Sequence, residues 1–170
     1  MVLALDVHYR KDLTKAVGVL FNWKDADVQE IVCEYIEGVE DYVPGQFYKR
    51  ELPCLMKIIE QIDISAIDAI IVDGHIYVDN NGNYGLGGKL YEALENKIPI
   101  IGVAKTPFYN NKETVTEVKR GKSNNPLYVS AIGIDVFTAS KMIMEMHGDF
   151  RIPNILKTLD QITKNDTDSK

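Results

Sequence analysis

The chain has 170 residues, 45% of them hydrophobic, and a formal net charge of −6, which suits one domain in the usual range of roughly 100–200 residues. Its longest apolar runs, at 69–72 and 98–104, fall well short of the ~18 residues that cross a bilayer, so a spanning helix is excluded. The acidic balance also excludes a sequence-independent DNA coat, since such binders carry a basic excess.

Met1 leads straight into an apolar run with no basic leader, and Cys33 and Cys54 form no CxxC pair. Both features predict a cytoplasmic chain whose cysteines pack as small apolar residues. Stretches 2–9, 15–23 and 28–37 are rich in β-branched and aromatic residues and predict three strands. The short polar joins between them suit an antiparallel meander. Residues 40–49, with Pro44-Gly45, predict a loop. A helix follows, with Leu55, Ile58, Ile59 and Ile62 on one face and Pro53 in its first turn.

The run 66–72 ends at Asp73-Gly74 and predicts a strand buried on both faces. A helix over 86–96 and a second buried strand over 98–104 complete a parallel, right-handed crossover. Residues 110–120 read as a polar stretch and 127–132 as a further strand. Asp135 is placed to cap a helix carrying Val136, Ala139, Ile143 and Met146, and Pro153 opens a last helix. Together these elements predict an α/β fold: a mixed sheet, with an antiparallel three-stranded meander plus parallel strands, flanked by helices. Residues 1–164 form a single domain in this reading and 165–170 a disordered tail. The element order resembles the ribonuclease H-like architecture.

Asp6 interrupts an apolar strand and shares a face with Ala4 and His8. Asp73 closes another strand, where α/β sheets collect their binding groups. Were the two strands neighbours, the aspartates would converge, and a close carboxylate pair calls for a proton or a hard cation such as Mg²⁺ or Mn²⁺. The plainer alternative is that Asp6 contacts Arg10 in a turn and Asp73-Gly74 merely ends a strand.

Tyr42-Val43-Pro44-Gly45-Gln46-Phe47-Tyr48-Lys49-Arg50-Glu51-Leu52-Pro53, with Asp6-Val7-His8-Tyr9, Val72-Asp73-Gly74 and Gly102-Val103-Ala104-Lys105, resembles the endonuclease V family. The motifs arrive in the family's order from Val2 to about Met146. The resemblance implies a metal-dependent endonuclease that acts 3′ to a deaminated base, deoxyinosine in DNA or inosine in RNA. It implies that Asp6, Glu51 and Asp73 hold the metal, Mg²⁺ or Mn²⁺, and that Lys105 is a catalytic lysine. Tyr42 and Pro44 match the wedge that fills the space left by an extruded base. Gly45, Phe47 and Gly74 would line the base pocket.

Two departures stand out. Asp79 occupies the position of a family histidine, so either Asp79 or His75 would serve as an accessory group; an aspartate is no near-neutral proton donor. Around Gly133 the chain has neither the histidine nor the arginine of the family's Gly-His-Arg stretch. These losses motivate an alternative, a catalytically impaired module that binds deaminated or distorted nucleic acid. A further alternative is a small-molecule enzyme whose glycine-rich 82–89 stretch cradles a phosphate at a helix N-terminus.

Overall fold

The computed structural model describes residues 1–38 and 47–165. Strands β1 (Val2–Tyr9), β2 (Thr14–Phe21) and β3 (Glu30–Ile36) form the expected meander, with Asp6 opposite Val17 across the β1–β2 pair. Helix α1 (Phe47–Ile59) comes next, and strand β4 (Ala69–Asp73) then pairs with β1 in parallel. Helix α2 (Leu86–Ala93) crosses over to β5 (Ile100–Ala104), parallel to β4. Strands β6 (Thr116–Val118) and β7 (Leu127–Ile132) follow, then helices α3 (Val136–Met144) and α4 (Asn154–Lys164). All seven strands join one sheet in the order β3-β2-β1-β4-β5-β7-β6, the mixed arrangement of the ribonuclease H-like fold.

Strand alternation splits the apolar residues between two layers. Leu3, Leu5, Leu55, Ile58 and Ile70 pack on the face covered by α1 and α2, while Val2, Ala4, Ile71, Ile143 and Leu159 pack beneath α3 and α4. Asp6 continues the Val2-Ala4 row, so its side chain belongs to the α4 side. Among the described residues no helix is long and apolar enough to cross a membrane.

Several sequence expectations need correction. The loop predicted over 40–49 gives way to helix at Phe47, which makes Pro53 the seventh residue of α1 rather than a first-turn residue. The amphipathic face outweighs the hydrogen bond a proline cannot donate. The strand predicted from residue 66 starts at Ala69, after a 3-10 turn (Ile64–Ala66) closed by Asp63, whose side chain accepts from the Ser65 amide. Helix α2 stops at Ala93 because Glu95 and Asn96 adopt left-handed backbone. The polar stretch over 110–120 hides a 3-10 segment (Tyr109–Thr114) and the edge strand β6. Met146 packs in the core beyond the end of α3. Asn165, placed in the disordered tail, has its carbonyl held by Arg10 and Lys15; residues 166–170 lie outside the described ones.

Candidate active site

The register of β1 and β4 decides where the aspartates go. Leu3 pairs with Ile70 and Leu5 with Val72, so the next step along both strands sets Asp6 beside Asp73. Both stand at the level where β4 and β5 end, with Asp6 three residues before the end of the longer β1, and Lys105 follows the last residue of β5 on the same edge. This is the carboxyl end of parallel strands, where the chain must turn away and leaves room for a ligand.

Helix α1 brings in the third carboxylate from the opposite layer. Glu51 lies four residues before Leu55 and seven before Ile58, on the buried stripe of the helix, and is 9% exposed. It shares a small cavity with Asp6, Val7, Leu55, Asp73 and Leu86. Three side chains distant in sequence are thereby brought within electrostatic reach of one another.

Burial pushes the Glu51 carboxyl up to about 8, with Asp73 and Asp6 adding repulsion and Arg50 opposing it. Burial and then Asp73 raise Asp6 to about 6, against the hydrogen bond its Oδ1 accepts from the Val7 amide at 3.0 Å. Asp73 is raised by burial of its carboxylate among its neighbours, while Lys105 pulls it the other way. Among the described residues no three His, Cys, Asp or Glu side chains form a finished metal cage. They form instead a repelling, all-oxygen donor set that suits a hard divalent cation, and the raised pKa values record the charge such an ion would neutralise.

Helix α4 completes the edge with residues that sequence reasoning did not single out. Asp160 stands 3.7 Å from the Lys105 ammonium and 3.0 Å from Lys164. Burial acts to raise its pKa, but the two lysines outweigh it and hold the carboxyl below its usual value. Thr163, fully buried, donates its hydroxyl to the Leu159 carbonyl at 2.6 Å and acts to lower the Asp6 pKa. The signal in the sequence was faint: Asp160 is four residues after Leu156 and three before Thr163, on the shoulder of the apolar stripe. A cavity under this edge is lined by Asp6, Asp73, Lys105 and Asp160 at its polar end and by Leu127 and Leu159 at its apolar end.

The other predicted residues divide cleanly. Gly74 has a φ of +137°, open to glycine, and nothing crowds the space where its side chain would stand. Its carbonyl passes 2.6 Å from the place a Cβ on Gly102 would take, so Gly102 permits the turn above β5. His75 contacts the Thr106 carbonyl at 3.3 Å beside the Phe108 ring, and burial lowers its pKa. Asp79 does not join the carboxylates: its side chain accepts from the amides of Asn81 (2.9 Å) and Asn83 (3.2 Å) in a turn. Tyr42, Pro44 and Gly45 lie outside the described residues, as does the side chain of Phe47. Asp6 bonds its neighbour's amide, and the Arg50 guanidinium covers the Tyr9 ring at 3.4 Å.

The glycine-rich stretch before α2 is not a phosphate cradle. The amides of Gly85 and Gly88 already donate to the Ile76 carbonyl, at 2.7 and 3.2 Å. Side chains on Gly87 and Gly88 would collide with Ile76 and Tyr84. These glycines let α2 pack closely against the 75–84 loop.

Comparison with known proteins identifies the family and its fold. The family model described as Endonuclease V matches residues 1–161. Endonuclease V of Sulfolobus acidocaldarius is 31% identical over 63% of this chain, which spans half the length of that protein. The Rippkaea orientalis protein of the same name is 25% identical over 96% of this chain and 79% of its own length. In structure, Endonuclease V of Ciona intestinalis, solved with DNA containing an inosine, superposes with a TM-score of 0.80 at 17% identity, covering 96% of this chain and 84% of that one. The Bacillus subtilis structure gives 0.76 at 19% identity, with 95% and 77% covered. On the family match, the chain belongs to the Endonuclease V family.

Proposed function

We propose that this protein is a metal-dependent endonuclease that cleaves DNA or RNA on the 3′ side of a deaminated base, deoxyinosine or inosine. The observation that carries the reading is the convergence of Asp6, Asp73 and Glu51, from two parallel strands and a helix, beside Lys105. Asp6, Glu51 and Asp73 would hold Mg²⁺ or Mn²⁺ through carboxylate oxygens. The cation, once bound, polarises the scissile phosphate and lowers the pKa of a water molecule.

The rest falls to the chain's own groups. The Lys105 ammonium offsets negative charge gathering on the phosphate, and Asp160 orients that ammonium from the far side at 3.7 Å. Gly74 leaves unobstructed space next to Asp73 for a base turned out of its stack, with His75 and Phe108 as an adjoining wall. The wedge role of Tyr42 and Pro44 rests on the sequence resemblance.

A strand carrying one inosine, as DNA and as RNA, incubated with and without Mg²⁺, tests the reading. Metal-dependent nicking 3′ to the inosine is expected, with an unmodified strand left whole. Metal-dependent binding without nicking would instead favour the impaired binding module.

A further inference from the structure

A second recess opens beside the catalytic edge. It is a groove of about 1160 Å³, lined by Lys122, Ser123, Phe150, Arg151 and Lys157 among others, large enough for more than a drug-sized ligand. Ile152 lines both this groove and the cavity under Asp6 and Asp73. Arg151 also reaches from the groove to the catalytic edge, donating to the carbonyls of Lys105 and Pro126. Ile152 and Arg151 thus stand between the two recesses.

The lining matches one kind of occupant. Three cations (Lys122, Arg151, Lys157) face two carboxylates (Asp27, Asp149) in the groove, a local positive excess on a chain of net charge −6. Phe150 is 75% exposed, an aromatic face shown to water. Its backbone is fixed all the same. The buried Arg120 guanidinium donates to the carbonyls of Phe150 (2.6 Å), Met146 (2.6 Å) and Gly148 (3.1 Å), so the segment under the ring is pinned. An exposed ring on a pinned backbone among cations is the arrangement on which nucleic-acid bases stack, and fixing that backbone beforehand lowers the entropic cost of binding.

We propose that this groove holds a single-stranded flank of the nucleic-acid substrate, with a base stacked on Phe150 and phosphates met by Lys122 and Lys157. The proposal rests on reading the adjoining site as a nuclease centre. It assigns substrate contacts outside the carboxylate site, so its test needs no cleavage.

Fluorescence anisotropy with labelled, unmodified thymidine and uridine oligonucleotides measures the contact directly. Because Phe150 is exposed, Phe150→Leu and Phe150→Trp are expected to fold as wild type, which circular dichroism checks. Phe150→Leu should weaken binding about tenfold and Phe150→Trp should keep it, as stacking requires. Lys122→Gln and Lys157→Gln should each lower the slope of log affinity against log salt by about 0.7. Wild-type affinity in Phe150→Leu, or equal loss in Phe150→Trp, would overturn the groove. Strand binding that follows these expectations in a protein unable to nick inosine strands would sink the nuclease reading and leave the groove standing. Nicking with no effect of Phe150→Leu on binding would do the reverse.

Discussion

The molecule buries positive and negative charge in two different ways. Lys15, 2% exposed, donates to the carbonyls of Ile162 (2.8 Å) and Asn165 (3.3 Å) at the end of α4, and its ammonium faces the Tyr35 ring. Arg120, 4% exposed, is bonded to five carbonyls, those of Met144, Met146, Gly148, Phe150 and Arg151. In both cases backbone carbonyls, at the ends of α3 and α4 and in the connection between them, answer the charge, so the cost of burying it is met within the chain. Glu51 and Asp6 have each other and Asp73 as neighbours, and their pKa values climb instead. A buried charge saturated by its own chain stabilises the fold; one left facing its like is arranged for something that arrives from outside.

Substitution separates the two regions most sharply. Asp6→Asn and Asp73→Asn should each reduce nicking of an inosine strand by about 1000-fold or more, the scale of losing several kcal/mol of transition-state charge stabilisation. Neither should lower the unfolding midpoint of the metal-free protein, and relief of repulsion should raise it. Full activity in either variant would remove the proposed site. Arg120→Met should behave in the opposite sense: it strands five carbonyls and should cost about 3–5 kcal/mol of stability in a denaturant titration. A midpoint equal to wild type would show that the clasp contributes nothing.

The same contrast appears in pH dependence. Glu51 and Asp6 sit at about 8 and about 6, above the ordinary values of 4.5 and 3.8. Across that window the folded, metal-free protein binds more protons than the unfolded chain, so stability falls as pH rises. It is greatest near the ordinary carboxylate values and the loss is complete above about pH 8. His75, whose pKa burial lowers, opposes this below its ordinary value of 6.5, so the quantity to measure is the difference between wild type and Glu51→Gln. Wild type should lose stability relative to Glu51→Gln between about pH 4.5 and about pH 8 in a chelating buffer, by a few kcal/mol at most. Saturating Mg²⁺ should shrink that difference. A difference that stays flat in chelator would mean that Glu51 is ionised without penalty.

Which of these features the sequence shows depends on how local their cause is. The β1–β3 meander and the buried strands β4 and β5 declare themselves through continuous β-branched runs and short polar joins. Asp6 and Asp73 stand out because a carboxylate within or at the end of an apolar strand needs a reason. The start of α1 was hidden because Pro53 marks a helix beginning by local rules, whereas burial of Leu55 and Ile58 carries the helix back to Phe47. The three-residue β6 leaves no periodicity to read, and nothing local tells that β7 runs antiparallel to β5. Asp160 escaped for the strongest reason. Its meeting with Lys105 exists only once α4 has packed across β1 and β2.

The smallest expected effect concerns Asp79, where this sequence departs most visibly from its family. An aspartate among catalytic carboxylates would add a fourth negative charge to a set already repelling itself. The side chain is otherwise engaged: it accepts from the Asn81 amide, the Asn83 amide and the Asn83 side chain, and these bonds hold its pKa below the usual value. That is the opposite direction from Asp6 and Glu51, which is how a group outside the repelling set should behave. Asp79→Ala should therefore leave Mg²⁺ affinity within about twofold of wild type by calorimetry, and lower the unfolding midpoint only slightly through the lost turn bonds. Asp79→His tests the other half of the argument. With the turn bonds gone, and the position's distance from Asp73 set by the 74–84 loop, the imidazole should not raise nicking. A large loss of Mg²⁺ affinity in Asp79→Ala would bring Asp79 into the metal site and end the contrast between it and the buried acids.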